Sequence, residues 1–376
     1  MSARLDHRFD GPDDAPVVVL AGSLGTTKAM WGAQVPALAA RFRVLSYDHR
    51  GHGGSEVPPG PYAIEDLGGD VLALLDQHGI ERASFCGLSI GGMVGLWLAA
   101  EAPQRIDRLA LLCTSARLGP PEGWDDRVAA IRRDGIEGIA DAVVGRWFTS
   151  DFAAREPETV ARWRAVLTET PREGYAGCCE AIRDFDLSDR LATITAPTLI
   201  VSALHDIATP VEHQAALAAG IAGARLTVLD GAAHLAAVEQ GPAVAAALLD
   251  HLGGGDRHER GMAVRRAVLG DAHVDAAIAA TTPFTEDFQH YITGAAWGDV
   301  WTRDGIDRRM RSAITLTALL AVNRMEEFAM HVRAARRNGL STEEIGEIVL
   351  NAAVYVGVPA ANDGFRVAAR ALADES

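Results

Sequence analysis

Gly87-Leu88-Ser89-Ile90-Gly91 is the stretch on which the reading of this chain turns. Before it, Arg82–Cys86 is a short apolar run that predicts a buried strand. After it, Gly91–Ala100 predicts a helix rich in small residues. A serine between two glycines at a strand-to-helix junction has the context of a nucleophile elbow. The glycines permit a sharp turn, the hydroxyl stands clear of the backbone, and the helix N-terminus behind it favours negative charge. The five-residue pattern is common by itself, and the flanking strand and helix give it its weight.

The same alternation extends on both sides. Val17–Ala21 and Arg43–Tyr47 predict strands, the first ending in Gly22-Ser23-Leu24-Gly25 and the second in Asp48-His49-Arg50-Gly51-His52-Gly53. Leu67–His78 has helical spacing, with Leu67, Val71, Leu74 and Leu75 on one face, and Leu109–Cys113 is a fourth strand. Strands alternating with helices imply βαβ units and a parallel sheet. Residues 120 to about 190 interrupt the pattern with helical periodicity and bulky side chains, among them Trp124, Trp147, Phe148, Trp163 and Tyr175. A helical insertion between two strands of such a sheet is a natural cap. A strand resumes at Leu199–Ser202, Arg225–Leu229 is another, and Pro242–Leu252 is a closing helix.

A chain of 376 residues suggests two domains. The expected boundary is the glycine-rich, charged stretch 253–260, which separates a first domain, 1–252, from a second, 261–376. Beyond it only helices are expected: Ile306–Ala321, Met325–Arg337 stopping at Asn338-Gly339, Thr342–Val356 behind a capping box of Ser341 and Glu344, and a last helix opened by Pro359. The net charge of −15 argues against nucleic acid or an anionic membrane as partner. Four cysteines without a C-x-x-C pair, and no His/Cys/Asp cluster at ligand spacing, give no disulfide framework and no metal site. The N-terminus has no apolar signal core and no run is long enough to span a bilayer, so a cytoplasmic protein is expected.

A serine hydroxyl needs a general base and an acid that orients it. Asp206 stands just after the strand Leu199–Ser202 and His234 just after Arg225–Leu229, so both belong at the carboxyl end of the sheet, where Ser89 points. Each alone could be an ordinary loop residue. Together they form a Ser89–Asp206–His234 triad, with His205, His213 and Asp230 as less suitably placed rivals. The developing oxyanion needs two main-chain donors, assigned to Ile90, next to the nucleophile, and Leu24, in the loop after the first strand.

These segments, with His205-Asp206-Ile207-Ala208-Thr209-Pro210, Ala233-His234 and the cap stretches Arg146–Thr149 and Gly174–Cys179, resemble the 3-oxoadipate enol-lactonases over about residues 1–252. The resemblance implies an α/β-hydrolase fold with a helical cap and small anionic lactones as substrates. A local cation must then meet the substrate carboxylate on this acidic protein, and Arg133 and Trp147 are the candidate cap contributors. Gly22 stands where many relatives carry the histidine of an HG pair, which leaves a main-chain oxyanion donor unaffected.

In the second domain, Tyr291–Gly298, Asp307–Ser312, Glu326–His331 and Gly357–Asn362 are similar to the 4-carboxymuconolactone decarboxylases, an all-α family related to alkylhydroperoxidase proteins. Those relatives carry cysteines four and seven residues before the helical histidine. Here the positions hold Glu327 and Arg324, which excludes thiol redox chemistry. Loss of CO₂ from the ring carbon pushes electrons toward the lactone carbonyl, so the site needs a cation or hydrogen-bond donor and a proton source. His331 is the candidate acid, Glu327 at i−4 its orienting partner, and Arg324 the substrate-binding cation. On a helix such charges also form ordinary solvated faces. The combined expectation is a cofactor-free fusion that decarboxylates the carboxymuconolactone and hydrolyses the enol-lactone, assembling as a homo-oligomer through its helical domain. The alternatives are a general serine esterase or C–C hydrolase fused to a helical domain that serves oligomerisation alone.

Overall fold

The structure, a computed structural model, describes residues 2–253, 257–303 and 305–373. It divides into two compact units, Met1–Gly253 and Gly254–Ser376. Of the stretch read as a linker, residues 254–256 lie outside the described residues. The helix Arg257–Leu269 takes in its last four positions, where Arg and Glu are good helix formers.

The first unit is built on a seven-stranded sheet. In chain order the strands are β1 (His7–Asp10), β2 (Val17–Ala21), β3 (Arg43–Tyr47), β4 (Ala83–Leu88), β5 (Ile106–Leu112), β6 (Thr198–Ala203) and β7 (Arg225–Leu229). They lie in the order β1-β3-β2-β4-β5-β6-β7, with β1 antiparallel to β3 and every other neighbour parallel. The central strands β2, β4, β5 and β6 are buried almost throughout. This is why they read as continuous apolar runs rather than alternating ones. β1 gave no such signal: His7-Arg8-Phe9-Asp10 is a half-exposed edge.

Between β5 and β6 stand five α-helices, Pro121–Asp134, Glu137–Val144, Ser150–Arg155, Pro157–Glu169 and Arg172–Asp184, as expected for a cap. The cap sits tightly on the loops of the sheet. A Cβ on Gly174 would lie 2.2 Å from Gly51 O, so two main chains meet where only glycines fit. Leu235 N–H donates to Trp147 O at 2.9 Å. The Glu239 carboxylate accepts from Thr149 N–H at 3.1 Å and from Ala233 N–H at 2.9 Å. These bonds fasten the cap to the segment that carries His234.

The second unit is helical. It comprises Arg257–Leu269, Asp271–Ala279, Glu286–Ile292, a π-helical stretch Thr293–Val300, then Arg308–Ala321, Met325–Arg337, Thr342–Val356 and Val358–Ala373. Asp307 caps Arg308–Ala321 through Met310 N–H. The capping box of Ser341 and Glu344 forms as expected, and Gly339 takes positive φ after Met325–Arg337. The helix Met325–Arg337 joins two apolar clusters, giving Phe328 and Val332 to one and Ala334 to the other. Among the described residues no helix is long and apolar enough to cross a membrane.

Candidate active site

Ser89 follows β4 directly, with φ 59° and ψ −119°. This is a strained conformation that the surrounding packing must hold. Both flanking glycines are required. A Cβ on Gly87 would lie 2.1 Å from Gly91 O, and one on Gly91 would lie 2.4 Å from Ala21 O. Ser89 N–H donates to Leu112 O at 3.0 Å, and Thr114 Oγ1 donates to Ser89 O at 2.7 Å, so β5 and the turn after it brace the elbow.

Asp206 lies in the turn after β6 and is buried. Its Oδ1 accepts from the main-chain N–H groups of Ala208 at 2.8 Å and Thr209 at 3.0 Å. Its Oδ2 accepts from Thr209 Oγ1 at 2.7 Å and lies 2.9 Å from His234 Nδ1. Burial opposes ionisation of this carboxyl. The charge of His234 and the hydrogen bonds from His234 and Thr209 outweigh it and hold the group below the ordinary carboxylate range. Ser89 and His234 line the same cleft of about 480 Å³. No hydrogen bond joins their side chains among the described residues, an arrangement usual in a free enzyme whose catalytic contacts tighten on substrate binding. Leu24 borders the cleft, and neither its N–H nor that of Ile90 has an acceptor among the described residues.

The cap closes the cleft with Trp124, Arg127, Val143, Arg146, Trp147 and Tyr175. Trp147 is where the sequence placed it. Arg133 is not: its side chain is 69% exposed and pairs with Asp134 at 2.7 Å, away from the cleft. On its helix the buried residues are Val128 and Ile131. Arg133 lies about 200° round from Ile131, whereas Arg127, four residues before, shares its side. Arg127 stacks on Trp124 at 4.8 Å, and neither Arg127 nor Arg146 is in an ion pair among the described residues. Of the rival residues, His205 is half exposed beside Asp230 at 3.5 Å. His213 does line the cleft, with its Nδ1 2.7 Å from Ser115 Oγ.

In the helical unit His331 is part-buried, and its Nδ1 has no hydrogen-bond partner. Burial, and then the charge of His273, lower its pKa to about 4. The expected partners do not gather around it. Glu327 and Arg324 are exposed, and among the described residues no hydrogen bond or ion pair ties either to His331. Glu327 lies on the exposed side of the first turn of the helix and Arg324 is its N-cap residue, so the shared i, i+4 spacing does not become a contact. Sequence reasoning missed Arg265 and His273, on two helices it did not delineate. Arg265 is 7% exposed; it donates to Thr293 Oγ1 at 3.0 Å and keeps an unpartnered Nε. The cue available in the sequence was an arginine amid the apolar residues Met262, Val264 and Val268. Among the described residues no group of three His, Cys, Asp or Glu side chains could hold a metal ion.

Residues 15–240 match the alpha/beta hydrolase fold family, and residues 286–370 match the carboxymuconolactone decarboxylase family. The first part is 38% identical over 236 residues to 3-oxoadipate enol-lactonase 2 of Acinetobacter baylyi, covering 63% of this chain and 88% of that protein. The second is 39% identical over 118 residues to 4-carboxymuconolactone decarboxylase of the same organism, covering 31% of this chain and 88% of that protein. The crystal structure of the enol-lactonase from Burkholderia xenovorans LB400 superposes with a TM-score of 0.66 at 47% identity, covering 67% of this chain and 97% of that one.

Proposed function

Since the chain belongs to the alpha/beta hydrolase fold family as an enol-lactonase fused to a member of the carboxymuconolactone decarboxylase family, we propose that it catalyses two consecutive steps of the β-ketoadipate pathway. The helical unit decarboxylates 4-carboxymuconolactone, and the Ser89 site opens the resulting enol-lactone to 3-oxoadipate. The observation that carries the hydrolytic half is the strained Ser89 at the β4 elbow sharing one cleft with the buried His234–Asp206 pair.

In this reading Ser89 Oγ attacks the lactone carbonyl as His234 Nε2 takes its proton. The N–H groups of Leu24 and Ile90 hold the oxyanion. When the ring C–O bond breaks, the departing enol oxygen receives that proton and tautomerises to the ketone. This tautomerisation makes ring opening irreversible. Water, deprotonated by His234, then releases the acid from Ser89. Arg127 and Arg146 are the cations placed to meet the substrate carboxylate.

For decarboxylation, His331 handles the proton that the dienolate left by loss of CO₂ takes up at the ring carbon next to the lactone carbonyl, and Arg265 is a buried cation on a helix of the same unit. Arg324 and Glu327 enter as surface groups. The helical unit also assembles with further copies of itself. Leu350, Val354, Tyr355 and Val358 leave apolar side chains 55–80% exposed, more than a lone small domain usually retains. The four cysteines are free and buried, which suits a cytoplasmic enzyme. Incubating the protein with 4-carboxymuconolactone should yield CO₂ and 3-oxoadipate. CO₂ with a persisting enol-lactone would sink the hydrolytic half, and an unchanged substrate the decarboxylating half.

A further inference from the structure

The N–H of Leu24 has no acceptor among the described residues and is free to meet an oxyanion, while the N–H groups on both sides of it in the loop are committed. Ser23 N–H donates to Met30 Sδ at 3.3 Å, Gly25 N–H to His52 Nε2 at 2.9 Å, and Thr26 N–H to Ser23 O at 3.1 Å. The loop's first carbonyl is held from two sides, since Gly22 O lies 3.0 Å from His49 Nε2 and accepts from Gly91 N–H at 3.2 Å. We propose that His52 is a positioning residue for lactone hydrolysis: with His49 and Met30 it clamps the loop Gly22–Thr26, leaving the Leu24 N–H as the donor turned to the reacting carbonyl. The proposal rests on the reading of Ser89 as the nucleophile.

The bonds fix the state of both rings. A main-chain N–H can only donate, so His52 Nε2 must be a bare lone pair, and the ring proton sits on Nδ1, donated to Arg50 O at 3.2 Å. A carbonyl can only accept, so His49 Nε2 carries its proton, and its buried Nδ1 is left without a partner. Two histidines three residues apart therefore hold opposite tautomers, both neutral, and each grips one end of the loop. A second proton on His52 would set N–H against N–H at Gly25. Burial, helped at His52 by the neighbouring His49, lowers both pKa values to about 4 and so prevents this at neutral pH.

The clamp explains why side chains from the turn after β3 hold a loop that follows β2. Gly25 takes φ +76°, and a Cβ there would lie 2.5 Å from Leu167 Cδ1 in the cap. The loop is thus confined between cap and sheet. Without the His52 acceptor, Gly25 N–H would be buried and unsatisfied. The loop would then turn to find a partner and carry Leu24 out of line.

The test compares His52→Leu, which removes the acceptor, with His52→Gln, whose amide oxygen reaches about as far as Nε2. The substrate is a neutral aryl acetate, and a boronic acid serves as a mimic of the tetrahedral oxyanion. Folding is checked by circular dichroism. We expect His52→Leu to lose about 100-fold in kcat with KM within about twofold, the size of a lost oxyanion donor. Boronate affinity should fall in parallel, and His52→Gln should recover most of both. If His52→Leu does not fold, Met30→Leu, which keeps the volume but not the sulfur acceptor, should lower kcat about tenfold with KM unchanged. A folded His52→Leu, or in its place Met30→Leu, with wild-type kcat and boronate affinity would overturn the proposal. Ser89→Ala is the control. If it kills ester hydrolysis while His52→Leu is normal, only the clamp fails; if it stays active, the nucleophile reading fails first.

Discussion

Asp206 Oδ2 lies 2.9 Å from His234 Nδ1, with both side chains buried. In the proposed mechanism this contact sets the direction of the proton relay. The carboxylate is held ionised by Thr209 and His234, so it accepts, Nδ1 carries the hydrogen, and Nε2 faces the cleft as a lone pair able to receive the Ser89 proton. Thr209 also fixes the rotamer of Asp206, because its main-chain and side-chain donors bind the two carboxylate oxygens separately.

Replacing Ser89 with Ala should cut enol-lactone hydrolysis by about 10⁴-fold or more, since triad members act as a unit. Decarboxylation belongs to the helical unit and should continue, so the protein should convert 4-carboxymuconolactone to an accumulating enol-lactone. Following the ring chromophore and CO₂ together reads both steps. Formation of 3-oxoadipate at the wild-type rate would remove Ser89 from the mechanism.

Asp206→Asn should leave the fold intact and the serine in place, yet lower kcat by about 10⁴-fold, the cost of the wrong imidazole tautomer in enzymes with this triad. KM should change little. An Asn variant with near-normal kcat would make Asp206 a turn residue only, held for its bonds to Ala208 and Thr209.

How far the sequence was legible follows from which physical signals are local. That Ser89, Asp206 and His234 meet at one end of the sheet was readable because each follows a strand, buried for β4 and β6 and exposed for β7, and parallel strands bring their carboxyl ends together. Arg133 was misread because its position on a helical face was not weighed: Ile131 fixes the buried side, and Arg133 points away from it. β1 escaped because a short edge strand needs no apolar run. Glu327 and His331 share helical spacing, but spacing does not say whether a given side chain is covered, and here Glu327 is exposed. For Arg265 the apolar neighbours Met262, Val264 and Val268 are a cue in the sequence, but the burial of its guanidinium against Thr293 follows only from tertiary packing.

Arg127→Ala and Arg146→Ala should each raise KM for the enol-lactone by about 10-fold or more, the worth of a charge-assisted hydrogen bond of roughly 1.5–3 kcal/mol. Neither should change KM for a neutral aryl ester. Arg133→Ala, at an exposed pair with Asp134, should leave both constants alone. A selective effect from Arg133 in place of the other two would reverse the assignment.

Buried histidines make the hydrolase unit sensitive to acid. Burial lowers His49, His52 and His251 from 6.5 to about 4. Between those values the unfolded chain binds protons that the folded chain refuses, so unfolding free energy rises with pH across this window. The stabilisation is fully present above about pH 6.5 and is lost as pH falls toward 4. Calorimetry from pH 7.5 to 4.5 should show Tm of the first unit falling steadily. His251→Gln keeps a donor for Leu109 O, which His251 Nε2 meets at 2.9 Å, and removes one titrating group. Its Tm should depend less steeply on pH, and an unchanged slope would show that this ring does not contribute.

His331→Gln should lower CO₂ release by about 100-fold, within the usual range for a lost general acid or base, and leave Ser89-dependent ester hydrolysis untouched. With its pKa lowered to about 4, the resting imidazole is neutral at pH 7, so it cannot begin the cycle as a ready proton donor. An anionic substrate beside it would raise that pKa and let the ring take up the proton it later delivers to carbon. The pH profile of decarboxylation should then show His331 titrating higher in the substrate complex than in the free enzyme. Glu327→Gln should cost less than about threefold, because an exposed carboxylate with no bond to His331 contributes little. The opposite ranking, with Glu327→Gln inactive and His331→Gln active, would transfer the proton chemistry to the surface carboxylate and require a second copy of the chain to cover it.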